Sequence, residues 1–242
     1  MTRRANPRAP RAPIFRAPTR RALLAGGLVA GAGLALPRVG LAAEGTAARS
    51  FEVLRDGGPI GRQTTTVTRN GDALEVTVRV RLLVKVLGIG AYRYELDSAE
   101  RWEGGRLVSL DGETNDDGAK EVARVRREGG RLVSSGTWSG ELPDEAATTT
   151  YWTPAFLDRG VWISTQTGRP LSVSVAKAGP AEIPGPSGPL AVERWQVSGD
   201  IDLALFYDAR GEWMGSAFDA GGATAQFRAL ESAPALAPLW AG

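Results

Sequence analysis

Apolar side chains occupy every even position from Leu74 to Val86: Leu74, Val76, Val78, Val80, Leu82, Val84 and Val86. The odd positions between them are Glu75, Thr77, Arg79, Arg81, Leu83 and Lys85, polar with one exception. A period of two puts one set of side chains on a buried face and the other in water. At ~3.3 Å per residue this predicts a strand about 40 Å long, suited to a large curved antiparallel sheet with one wet face. Alternation resumes after Gly88-Ile89-Gly90, through Tyr92, Tyr94 and Leu96, and ends near Trp102. The stretch reads as a hairpin with the glycines in its turn, or as one bent strand with a bulge.

The same rhythm continues along the chain. Strands are predicted at 51–55, 62–69, 106–110, 121–127 and 131–138, separated by Asp56-Gly57, Asn70-Gly71, Gly104-Gly105, Asn115-Asp116-Asp117-Gly118 and Gly129-Gly130. Ser139–Thr150 is a polar break. Pro154 then opens a short helix near 154–158, carrying Phe156 and Leu157. Further strands are expected at 161–165, 171–176, 190–197, 201–207, 213–218 and 223–230, with a Pro/Gly-rich surface loop at 179–189. Strand–helix alternation is missing. The fold class is therefore all-β: a large, strongly curved antiparallel sheet, a half-barrel or open barrel, with that one short helix.

Charge changes the picture at the N-terminus. Residues 1–42 hold eight arginines and no acid; taking these from the 29 basic residues leaves 21 against 27 acidic ones, a formal −6 for the rest. A mildly acidic domain is not expected to bind nucleic acid, which needs a basic face. The arginine-rich stretch has the parts of an export signal. Thr19-Arg20-Arg21-Ala22-Leu23-Leu24 resembles the twin-arginine (Tat) motif, a Gly-diluted apolar segment follows to Leu36, and Ala42 closes a cleavage site after Arg38. About 14 apolar residues fall short of the ~20 that span a bilayer, so no permanent membrane anchor is expected. The expected organisation is a twin-arginine signal over 1–42, a flexible lead-in at 43–50, one β domain over 51–230 and a loose tail at 231–242. Expected partners are the Tat translocase and signal peptidase during export, and the expected location is the periplasm.

The chain has no histidine and no cysteine. That removes histidine-dependent triads, thiol nucleophiles and most zinc sites. No cofactor or metal motif is visible, and none is expected. Asn115, Asp117 and Gly118 imitate part of a calcium loop, but Arg124 stands where its last carboxylate belongs, so a hairpin turn is expected there. Asp200 and Asp202 are expected on the wet side of a strand. The aromatics are the best candidates for a binding role. Tyr151 and Trp152 at the junction before the short helix and Phe156 on it, with Tyr92, Tyr94 and Trp102 on the long hairpin, are read as the lining of a pocket over the concave face.

Several strings together resemble an uncharacterised family of exported bacterial β proteins, known only as a domain of unknown function. They are Val84-Lys85-Val86-Leu87-Gly88-Ile89 with Tyr92-Arg93-Tyr94, Glu100-x-Trp102, Thr114–Gly118, Tyr151-Trp152-x-Pro154, Thr165-Gln166-Thr167-Gly168 and Tyr207-Asp208. The similarity spans most of 51–230. Family members often carry a histidine after the Tyr-x-Tyr, where this chain has Leu96-Asp97. The expected architecture is also similar to the half-barrel of periplasmic lipoprotein carriers. Three functions stay open: a periplasmic module binding a lipid-like or glycan ligand, a carboxylate- or Tyr-dependent enzyme, and an assembly protein using a sheet edge.

Overall fold

The computed structural model describes residues 44–86, 89–231 and 236–240. The proposed export signal, its Arg20, Arg21, Leu23, Leu24 and Ala42 included, lies outside them. The described chain forms fifteen strands in one sheet. The first eight are β1 (Gly45–Arg55), β2 (Gly58–Asn70), β3 (Ala73–Val86), β4 (Ile89–Glu103), β5 (Arg106–Asp116), β6 (Ala119–Glu128), β7 (Arg131–Ser135) and β8 (Ser139–Leu142). After β9 (Ala147–Thr148) and a 3₁₀ turn at Pro154–Asp158 come β10 (Val161–Ile163), β11 (Pro170–Gly185) and β12 (Gly188–Gly199). Then β13 (Leu203–Tyr207), β14 (Trp213–Asp219) and β15 (Thr224–Ala229) lead to a helical turn, α1 (Ala237–Trp240).

The strand order is β8-β7-β6-β5-β4-β3-β2-β1-β15-β14-β13-β12-β11-β10-β9. All neighbours are antiparallel except β9 and β10, which run parallel. The sheet curves without closing: β8 and β9 remain its two edges. Leu74 pairs with Trp102 and Val84 with Tyr92, so the long stretch is a hairpin of β3 and β4. Val76, Val78 and Val80 are buried while Glu75, Thr77 and Arg79 are exposed, as the alternation requires. The outer face carries cross-strand ion pairs such as Arg79–Asp97 at 2.9 Å and Arg124–Glu113 at 2.8 Å. Exposed pairs of this kind contribute only about 0–1 kcal/mol each, so burial of the inner face holds the sheet together.

The inner face packs against the chain's own middle segment. The 164–168 turn nests on β5 to β7, where Trp138 N–H donates to the Thr167 carbonyl at 3.0 Å. A Cβ on Gly112 would lie 2.0 Å from the Thr165 carbonyl oxygen, so only glycine permits this approach. Thr165–Gly168 is therefore a packing element of the open side.

Four expectations are corrected. Gly45–Ser50, expected as a flexible lead-in, belongs to β1 and pairs with β2. Its Arg49 points into the core, where it meets Glu212 at 3.2 Å and the Glu231 carbonyl at 2.9 Å. The C-terminal tail, expected to be loose, is docked over 236–240. Leu236 and Leu239 are buried, Glu212 accepts from Ala237 N–H, and Arg69 donates to the Leu239 carbonyl at 2.9 Å. The 179–189 segment, expected as a loop, is the end of the β11–β12 hairpin, with Pro180 opposite Glu193 and Pro184 opposite Pro189. Beyond β10's short pairing to residues 170–172, β11 has no second neighbour, and proline is tolerated on such an edge. Asp200 and Asp202 precede β13 instead of lying on it; Asp200 accepts from Ser172 N–H at 2.8 Å and so fixes the turn.

Candidate functional site

Antiparallel register sorts the turns into two groups at opposite ends of the sheet. The β1–β2, β3–β4, β12–β13 and β14–β15 connections share one end, here called the mouth. The β2–β3, β4–β5 and β13–β14 connections share the other, the base. The two ends have different chemistry.

At the base, β4 sends Glu100 and Trp102 inward, because they lie on the same alternation as Leu96 and Ser98. The Trp102 indole N–H donates to Glu100 Oε2 at 2.7 Å, and Trp152 Nε1 stands 3.4 Å from the same oxygen. The hydroxyls of Thr148 and Thr150, themselves 2.8 Å apart, surround the carboxyl. Burial raises the pKa of Glu100, against the pull of these donors. Phe156 completes the cluster, its ring 5.0 Å from Trp102 and 5.5 Å from Trp152. Pro154 and the Thr153 cap set the 3₁₀ turn that places Phe156 there. Tyr207 hydroxyl donates to the Tyr151 carbonyl at 2.9 Å and holds Tyr151 at φ 56°. A non-glycine residue in that region costs of order 1–3 kcal/mol unless its surroundings fix it. Trp102, Trp152 and Phe156 also edge a cleft of about 700 Å³, mixed in polarity, that reaches Arg69, Arg159 and Trp240.

At the mouth the inner face is not filled. A cavity of about 560 Å³ lies between β1–β4 on one side and β13–β15 on the other, floored by Tyr151 and the 164–166 turn. Its walls are mostly apolar: Val80, Leu82, Val84 and Leu96 face Leu203, Trp213, Phe218 and Phe227. Tyr92, Tyr94 and Tyr151 also line it. Burial, with Asp116 nearby, pushes Tyr94 up to about 12 and raises Tyr92 as well; burial does the same to Tyr151. All three phenols are thus neutral donors at any physiological pH. Tyr151 is braced by Trp162 and Trp213, with ring centroids at 5.5 and 5.7 Å.

The six aromatics expected to share one pocket are divided. Tyr92, Tyr94 and Tyr151 line the mouth cavity, while Trp102, Trp152 and Phe156 pack at the base. Trp152 is 3% exposed, its indole bonded within the core, so it does not stand over the concave face. Sequence reasoning missed Arg55, Trp213 and Ser216 as cavity-lining residues. The alternation of β14 pointed toward Trp213, but nothing local indicates that β14 faces a void. Among the described residues no cluster of His, Cys, Asp or Glu has the geometry to hold a metal ion. Among them, too, no helix is long and apolar enough to cross a membrane.

Comparison with solved structures finds the same fold in a β-barrel-like protein of a domain of unknown function, DUF1849, from Brucella abortus. The TM-score is 0.53 at 10% identity, covering 77% of this chain and 95% of that one. No curated protein matches. The strings that suggested an uncharacterised β family are the ones that interlock here: Glu100-x-Trp102 with Tyr151-Trp152-x-Pro154, and Tyr151 with Tyr207-Asp208. A family model described as Domain of unknown function (DUF6134) matches residues 51–230, and the chain belongs to that family.

Proposed function

We propose that this protein is an exported binding module that holds an apolar or amphipathic molecule in the mouth cavity. The observation that supports this most is the cavity itself: about 560 Å³, preformed, with a mostly apolar surface of aliphatic and aromatic side chains and polar groups set among them. Small-molecule sites fall at ~300–1,000 Å³ and have this make-up. The lining favours a lipid-like ligand over a glycan, because hydroxyl-rich sugars need more polar partners than these walls offer. The carboxyl buried at the base is bonded to two indoles, remote from the cavity, and gives no support to an enzymatic role.

Protein stripped of co-purifying lipid is expected to enhance N-phenyl-1-naphthylamine fluorescence with saturable, one-to-one binding. Absence of saturable binding in folded protein would overturn this reading. Export through the Tat route to the periplasm is part of the proposal and rests on Thr19–Leu24 with Arg38 before Ala42. Replacing Arg20 and Arg21 by lysine is expected to leave the precursor in the cytoplasm. An undiminished periplasmic yield would contradict it.

A further inference from the structure

The polar groups of the mouth cavity are unequal, and they say something about the ligand's head. Arg55 is the one cation among the described residues that line it. It stands on the inward face of β1, two residues beyond Val53 and opposite Ala225 of β15. There it is half-buried, and among the described residues its side chain has no hydrogen bond or ion pair. A guanidinium loses hydration in such a place and regains it only from an acceptor, best of all a bidentate anion. The two acids of the rim do not supply one. Asp219 accepts from Gly222 N–H at 3.1 Å within the β14–β15 turn, and Asp202 is exposed to water. Deeper in, Trp213 is buried with an unpaired indole N–H, a second donor seeking an acceptor.

We propose, building on the binding role above, that the ligand is a single-chain amphiphile with an anionic head, carboxylate or phosphate. Its head sits against Arg55 at the mouth, and its chain runs inward between Val80, Leu96 and Phe227. The apolar walls supply affinity, and Arg55 supplies selection among head groups.

The test uses four competitors of one chain length, dodecanoate, dodecyl phosphate, dodecanol and dodecylamine, each displacing N-phenyl-1-naphthylamine from the full domain. At least one anion is expected to displace the probe at a tenfold lower concentration than dodecanol, with dodecylamine weakest; which anion wins separates a carboxylate from a phosphate head. In Arg55→Gln the anions should fall to the level of dodecanol while dodecanol itself is unchanged, and Arg55→Lys should keep part of the preference. Equal potency of anions and alcohol in the parent protein would overturn the proposal, as would dodecylamine as the strongest competitor or a loss shared equally by all four in Arg55→Gln. If the probe binds and none of the four displaces it, the anionic amphiphile is wrong while the cavity survives. If the probe itself does not bind, the cavity reading fails first.

Discussion

Glu100 shows how one residue can make a β protein's stability depend on pH. Its carboxyl is buried, touched by two indole N–H groups and two threonine hydroxyls, with Oε1 lacking a partner. Burial raises its pKa in the folded state above the unfolded value. The stability it contributes is then fully present below the unfolded pKa, and is lost as pH rises through the folded one. At neutral pH the parent protein must either carry a desolvated charge or bind a proton on folding, and a neutral isostere avoids both costs. Glu100→Gln keeps an acceptor for the indoles and offers N–H to the threonines. It is expected to melt at or above the parent at pH 7.5, with the gap closing as pH falls toward 4. Melting curves across that range check it; a variant less stable than the parent at pH 7.5 would mean the ionised carboxylate is favoured there. Another buried charge, Arg49, works differently, since Glu212 lies 3.2 Å away and the pair anchors the C-terminal segment. The partners are 163 positions apart in the chain, which is why Ser50 and its neighbours looked like a flexible lead-in.

Among the elements, the β3–β4 hairpin carries the central stretch of the inner face. Val80 is 4% exposed and Arg79 stands in water beside Asp97. Val80→Asp is expected to abolish cooperative unfolding, because an unpaired buried carboxylate costs several kcal/mol. Arg79→Ala should shift stability by about 0.5 kcal/mol or less. Denaturant titration separates the two, and equal losses would mean that the faces are reversed. This hairpin was legible because strict alternation has one structural meaning when one face is buried. The β11–β12 hairpin was not, since Pro180, Pro184 and the glycines that read as a loop are compatible with a strand only where an edge is unpaired, and edges are decided by the whole sheet. The parallel β9–β10 pair, two residues deep, left no pattern to find. The candidate site was half legible. Tyr92 and Tyr94 share the inward alternation and reach the cavity. Trp152 was expected beside them because its helix was placed over the concave side, but the 3₁₀ turn sits at the base, tied there by Glu100. The same unpaired β11 edge bears on the assembly reading: two prolines, Lys177 and the register shift between Lys177 and Gly179 make it a poor template for a partner strand.

The molecule as a whole separates stability from binding along the sheet. Trp102, Trp152, Phe156 and the docked α1 pack together at the base, with the cleft toward Arg69 and Arg159 at their edge, while the mouth keeps an apolar void between β1–β4 and β13–β15. An open, curved sheet lets aromatic packing concentrate at one end while the other keeps an apolar cavity. The DUF1849 neighbour shares this architecture and nothing closer at 10% identity, so the functional account rests on the cavity. The most direct test is to fill that cavity and leave the outer surface as its control. Val84 lines the mouth; Leu83, its neighbour, is 43% exposed on the outer face. Affinity for N-phenyl-1-naphthylamine is measured in Val84→Trp and in Leu83→Trp, with melting curves for both. Val84→Trp is expected to lose at least tenfold in affinity and Leu83→Trp nothing, with melting within a few degrees of the parent for each. Parent-like affinity in a folded Val84→Trp protein would contradict it.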